Sequence, residues 1–218
     1  MRIELEQLMP EPLIEIAPKH SDVWQQTLQL TEGQWTQLVA PSGRGKSTLL
    51  NIIYGNRADY RGEVKIDGKS TRTFTANDWA TLRRERLSVI FQDLRLFADL
   101  SGWDNLMLKQ QLTHTTTKDE IADMAMQLGV LRLLDKTCGT MSFGERQRVA
   151  IIRSLLQPFQ YLLLDEPFSH LDENNRQIAA DLIRQACETR KAGLLIAGLG
   201  ADRYFTYHQS LQLDEANG

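Results

Sequence analysis

The sequence has little cysteine. It holds two in 218 residues, Cys138 and Cys187, far apart and in no CxxC pair. That excludes a disulfide framework and zinc-cysteine inserts, and leaves two free thiols in a reducing compartment as the plain reading. No run of 18 apolar residues occurs, so no membrane span is expected. The opening Met1-Arg2-Ile3-Glu4-Leu5-Glu6 carries acids where a signal peptide would be apolar, so no secretory signal is expected either. A basic excess is also missing: Lys+Arg 25 against Asp+Glu 28 gives a formal net charge of -3. That argues against a general nucleic-acid binder, and no nucleic-acid partner is expected. The run Arg83-Arg84-Glu85-Arg86 reads as a solvated helix face. Repeats, low-complexity tracts and Gly/Ser linkers are absent, so residues 1–218 are read as one domain. What is present is a hydrophobic content of 42%, enough to fill a sizeable core.

Strand and helix patterns alternate. Residues 34–39 read as a strand, followed by a small-residue loop and an apolar helix from Gly45 to about Tyr54. Residues 62–70 alternate around Asp67-Gly68, which predicts a short hairpin. Leu87 to Phe91 is a second apolar run. From about 100 to 136 the spacing is helical, through Leu106, Leu108 and Leu112, then Ile121, Met124, Ala125, Leu128 and Leu131. Thr115-Thr116-Thr117 lies between as a loop and N-cap region. A helix follows from Gly144 to Leu156, then the fully apolar strand Tyr161-Leu162-Leu163-Leu164, a helix from about Glu173 to Thr189 and a strand at 193–197. This order predicts an α/β core with an inserted helical lobe.

Residues 40–48 read Ala40-Pro41-Ser42-Gly43-Arg44-Gly45-Lys46-Ser47-Thr48. They match the phosphate-loop pattern GxxxxGK[ST] except at the first position, where Ala40 replaces glycine. Small residues let backbone N–H groups curl around phosphate oxygens at a helix N-terminus. Lys46 is expected to reach the β- and γ-phosphates and Ser47 to ligate Mg²⁺. Ala40 fits if its φ is negative, and costs about 1 kcal/mol or more if the turn needs a positive one. Further on, Asp165 ends the apolar strand in Tyr161-Leu-Leu-Leu-Asp-Glu-Pro167, where ligands bind in open α/β sheets. Asp165 is expected at the magnesium site, and Glu166 to polarise an attacking water.

Residues 141–153 read Met-Ser-Phe-Gly-Glu-Arg-Gln-Arg-Val-Ala-Ile-Ile-Arg. This resembles the signature motif of ATP-binding-cassette proteins, written LSGGQ and followed by QRVAIARAL. Ser142, Gly144, Glu145, Gln147 and Arg148 match it. Gln92 looks like the family's Q-loop glutamine, and Ser169-His170-Leu171-Asp172 like its D-loop, commonly SALD. The resemblance covers nearly the whole chain, in order. It implies a P-loop NTPase fold: a RecA-like α/β core, an antiparallel β subdomain and a helical subdomain at about 93–157. It implies ATP and Mg²⁺ as ligands, with Ser47, Gln92 and Asp165 at the metal and Glu166, Lys46 and Gln92 in the chemistry. It implies a head-to-tail dimer, with itself or a related ATPase subunit, in which Ser142, Gly144 and Glu145 face the partner's γ-phosphate. Ser88-Val-Ile-Phe-Gln-Asp-Leu-Arg-Leu-Phe97 and Trp103-Asp-Asn-Leu106 look most like the lipoprotein-release, macrolide-efflux and cell-division branch. There the ATPase docks beneath an integral membrane transporter subunit, on the cytoplasmic face of the inner membrane. Leu94, Leu96, Phe97 and Leu100 would form the docking groove, or else pack within the lobe.

Four positions depart from the family. Leu199 stands where a histidine is usual, which implies slow hydrolysis; His208, on an expected terminal hairpin, and His170 are the alternative imidazoles. Phe143 replaces a signature glycine, and would either crowd the phosphate-binding amides or pack sideways on the lobe. Ala40 is the third. An adenine-stacking aromatic is missing from residues 8–18, and Trp24 lies too close to the next strand.

Overall fold

The computed structural model describes residues 1–15 and 21–213. The chain opens with strands β1 (Arg2–Pro10), β2 (Thr27–Thr31) and β3 (Trp35–Val39), then helix α1 (Lys46–Ile53). Strands β4 (Tyr60–Ile66) and β5 (Lys69–Ser70) form the expected hairpin. Its two central residues, Asp67 and Gly68, have φ of 50° and 80°, as a two-residue turn that matches strand twist requires. Next come α2 (Ala76–Glu85), β6 (Leu87–Ile90), α3 (Gly102–Thr113), α4 (Lys118–Gln127) and α5 (Phe143–Leu155). The chain continues through β7 (Tyr161–Asp165), α6 (Glu173–Arg190), β8 (Gly193–Gly198) and β9 (Gln209–Gln212).

Two sheets result. An antiparallel sheet runs β2-β1-β4-β5, and a five-stranded parallel sheet runs β6-β7-β8-β3-β9. Successive side chains on β7 point to opposite faces, so the strand serves two cores. Leu162 and Leu164 face the core shared with α3 to α6. Tyr161 and Leu163 face the core shared with α1 and the antiparallel sheet. Burial on both faces is why β7 and β8 read as unbroken apolar runs.

The helical lobe starts each helix with a hydroxyl and an acid three residues on: Ser101 with Asp104, Thr117 with Glu120, Ser142 with Glu145. Such reciprocal caps contribute about 1 kcal/mol each. Thr117 confirms the threonine run as an N-cap. Leu106 is buried, whereas Leu108 and Leu112 of the same apolar set are exposed. They lie two and six residues on, which at 3.6 residues per turn turns them to the opposite face. The groove set splits similarly. Leu94 is buried and Leu96 packs on the lobe core, while Phe97 is 60% exposed. The C-terminal segment is a correction: β9 is no hairpin arm but a fifth parallel strand beside β3.

Candidate functional site

Three strand ends create the site. β3, β7 and β8 run parallel in register, so Val39, Asp165 and Gly198 end at one edge. The Ala40 N–H donates to the Gly198 carbonyl at 3.2 Å, and the Glu166 N–H to the Ala197 carbonyl at 2.9 Å. The loop after β3 turns through Gly43 and Gly45, with φ of 79° and 98°, a region glycine alone enters freely. Gly45 also has no room for a side chain: a Cβ there would stand 2.6 Å from Leu13 Cδ1 and 2.8 Å from the Trp24 ring. Ala40 is not among the residues with positive φ, so the substituted first position carries no such strain. No side chain caps α1, and its first-turn N–H groups face the loop. Lys46, 5% exposed, donates from Nζ to the carbonyls of Ala40 at 2.7 Å and Pro41 at 3.0 Å. The same Nζ lies 3.4 Å from Glu166 Oε1. A cavity of 270 Å³ opens here, lined by Ser42, Gly43, Lys46, Ser47, Thr48 and Gln92 among others. Pro41 and Arg44 are exposed.

Asp165 is 2% exposed, and its Oδ1 has no hydrogen-bond partner among the described residues. Burial pushes its carboxyl above the usual range, while a hydrogen bond with Ser47 draws it back. A buried, unpartnered carboxylate oxygen beside a serine hydroxyl is a hard-oxygen donor set and fits Mg²⁺. Because the folded carboxyl titrates higher than the unfolded one, its charged form costs stability. That cost is absent below the usual carboxylate range and full above the raised one. Asp165→Asn should therefore raise the unfolding midpoint of the nucleotide-free protein at neutral pH, and shrink the further rise that Mg²⁺ and ATP produce. Thermal unfolding with and without those ligands reads both; a lowered midpoint would contradict the account.

The signature residues meet this edge through α5. Ser142 caps the helix: its Oγ accepts from the Glu145 N–H at 3.3 Å, and its own N–H donates to Glu145 Oε2 at 2.7 Å. The Ser142 side chain also bonds the Glu145 carboxylate, so the pair closes on itself at the start of α5. Glu145 enters as the cap that holds Ser142, since a carboxylate would repel a phosphate. Its carboxyl lies below the usual range because the Ser142 N–H bonds it. A Cβ on Gly144 would stand 2.8 Å from the His170 carbonyl oxygen, so the missing side chain lets α5 approach the loop after β7. Phe143 turns toward the loop after β7. Its ring packs on His170, with centroids 4.2 Å apart, and the Arg146 guanidinium lies 5.5 Å from the ring centroid. A cavity of 430 Å³ brings Ser47, Gln92, Asp165, Phe143 and His170 together.

Sequence reasoning matched Gln147 to the signature but gave it no task in the site. It is 1% exposed, and its Nε2 donates to the Glu166 carbonyl at 3.2 Å and to Ser169 Oγ at 3.4 Å. Its Oε1 accepts the His170 N–H at 3.2 Å. The signal was there to find: Gln147, Ile151 and Leu155 share one inward stripe of α5, and only the first is polar.

Leu199 follows β8, is 59% exposed and lines a 340 Å³ cavity with Glu166 and Ser169. His208 lies at the other end of the sheet, where it exchanges hydrogen bonds with Trp35 at the start of β3. A five-residue strand separates it from the loop by about 13 Å, so it does not reach the phosphate region. Trp24 is buried against the loop and offers no open ring face. Of segment 8–18, residues 16–18 lie outside the described residues.

Residues 24–169 match the ABC transporter family. Among curated relatives, the thiamine import ATP-binding protein ThiQ of Histophilus somni (strain 129Pt) is 35% identical over 172 residues, 78% of each chain. The lipoprotein-releasing system ATP-binding protein LolD of Buchnera aphidicola subsp. Schizaphis graminum is 31% identical over 195 residues, covering 88% of this chain and 84% of that one. The expected lipoprotein-release likeness is thus present, beside a likeness to an import system. The dimeric structure of MJ0796, a bacterial ABC transporter cassette, superposes with a TM-score of 0.80 at 23% identity, covering 99% and 97% of the two chains. That likeness bears on the fold and agrees with the expected P-loop architecture. With its phosphate loop, strand-end carboxylates and signature helix gathered at one sheet edge, the chain belongs to the ABC transporter family.

Proposed function

We propose that the chain is the ATP-binding and ATP-hydrolysing subunit of a membrane transport or mechanotransmission complex, working as a dimer. The observation that carries this is the convergence of Lys46, Glu166 and the unpartnered Asp165 Oδ1 at one strand edge. Ser47 and Asp165 would hold Mg²⁺, with Gln92 beside them, and the ion would neutralise phosphate charge. Loop amides and Lys46 hold the phosphates, and Glu166 accepts a proton from water. Ser142 and the amide of Gly144 face the second subunit's nucleotide, so ATP favours the closed dimer by contacting both faces. Turnover is slow because Leu199 offers no hydrogen bond to the γ-phosphate. The same apolar residue favours a second reading, an ATP-gated regulatory module with negligible hydrolysis.

A cleft of 200 Å³ supports the membrane partner. Exposed Phe97, Leu108 and Leu112 line it with Arg95, Lys109 and Arg153, and no acidic side chain does. Burial, then the neighbouring Arg153, pushes the Lys109 ammonium down to about 8. Arg95 pairs with Asp93 at 3.4 Å, and apolar surface beside Lys109 and Arg153 fits a short amphipathic helix that carries a carboxylate. The relatives' systems differ, so no cargo is proposed.

Phosphate release by the purified protein, alone and co-purified with the membrane protein encoded beside it, tests the reading. Turnover that rises with the partner is expected. ATP binding without turnover in both preparations would establish the regulatory module instead.

A further inference from the structure

The geometry points to Gln147 as a positioning residue that locks the signature helix to Glu166 and to the loop after β7 within one subunit. The inference rests on reading Glu166 as the group that polarises water.

Glu166 has φ of 48°, in the left-handed region that a side chain with a Cβ enters at a cost. Something must hold it there. Its N–H is tied to the Ala197 carbonyl on β8. Its carbonyl accepts from Ser169 N–H at 3.3 Å and from Gln147 Nε2 at 3.2 Å. Gln147 is the side-chain contribution from outside the segment, and it comes from α5, beyond the Ser142 cap. Its amide orientation is set by its partners: Oε1 takes the His170 N–H, so both Nε2 protons face Glu166 and Ser169. Ser169 Oγ is in turn 2.8 Å from His170 Nδ1, whose ring packs on Phe143. One buried amide thereby joins the signature residues, the strained carboxylate and the loop after β7. A shift of α5 must move the Glu166 backbone with it. Engagement of the signature by a second subunit is then reported to the first subunit's own carboxylate.

Two variants test this. Gln147→Met keeps length and loses all three bonds. Gln147→Glu keeps the acceptor for His170 and loses the donors to Glu166 and Ser169. Misplacing a reacting group by about 1 Å can cost on the order of 10²-fold. We expect each folded variant to lower kcat about 10- to 100-fold, with KM for ATP within about twofold of wild type. A residue that merely supported the fold would lower the unfolding midpoint and raise KM along with it, so the kcat-against-KM split is the readout. If Gln147→Met does not fold, Gln147→Glu decides. Wild-type kcat in either folded variant overturns the inference. Glu166→Gln is measured alongside. If that variant retains full turnover, the underlying reading of Glu166 fails. If it is inactive while the Gln147 variants are not, only the positioning role fails.

Discussion

Glu166→Gln should remove steady-state ATP turnover and leave ATP binding intact. The amide has the carboxylate's shape but not its basicity, and a positioned general base contributes about 10²- to 10⁴-fold. The local structure separates the two functions of the site. Lys46 loses one charged neighbour at 3.4 Å, yet keeps its bonds to the carbonyls of Ala40 and Pro41, so the phosphate loop holds its form. The backbone of residue 166 is held through its own N–H and carbonyl, neither of which the substitution touches. The side chain, 12% exposed, stays at the mouth of the same cavity. Phosphate release and equilibrium ATP binding, measured on one preparation, check both halves. Equal phosphate release from wild type and variant would remove Glu166 from the mechanism.

Leu199→His should act in the opposite direction. One preorganised hydrogen bond to charge developing in a transition state contributes about 2.7–4 kcal/mol, or roughly 10²- to 10³-fold in rate. Leu199 is placed to receive it. It follows β8 directly, beside the carbonyl of Gly198 that anchors the phosphate loop, and it shares a cavity with Glu166. At 59% exposure the leucine fills no core, so exchanging it disturbs no packing and should leave the unfolding midpoint near its original value. Turnover of the variant is measured as kcat, with and without Glu166→Gln. The double variant should be as inactive as Glu166→Gln alone, because a phosphate contact does not replace a base. An unchanged kcat in the single variant would show that this strand end does not serve the γ-phosphate.

The same residues show what was legible before any fold was known. The phosphate loop could be read because its chemistry depends on local conformation: glycines at 43 and 45 for positive φ, and a lysine at the head of a helix. Asp165 could be read because a buried parallel strand is apolar throughout and the first charge marks its end. Even the tolerance of Ala40 reduced to the sign of one dihedral angle.

Other features are decided by residues far apart in the chain. Whether Phe143 crowds the site depends on His170, which packs against it only once α5 lies along the loop after β7. His208 was a candidate imidazole until β9 paired in parallel with β3 and carried it to the far end of the sheet. The split of Leu94, Leu96 and Phe97 into two inward residues and one outward is set by the packing of the lobe, since a loop has no period to read. The strain at Glu166 belongs to the same class: an ordinary side chain takes a left-handed turn only when β8, the Ser169 amide and a glutamine from another helix hold it there. Sequence by itself determined the alternating α/β core, the pattern of the phosphate loop and the place of the two carboxylates at a strand's end, because each rests on short-range conformation or on a strand's period, while the full cassette architecture was read from resemblance. Only the tertiary structure decided which imidazole lies near the site, where Phe143 turns and what holds Glu166, because those answers are contacts between segments that the linear order leaves apart.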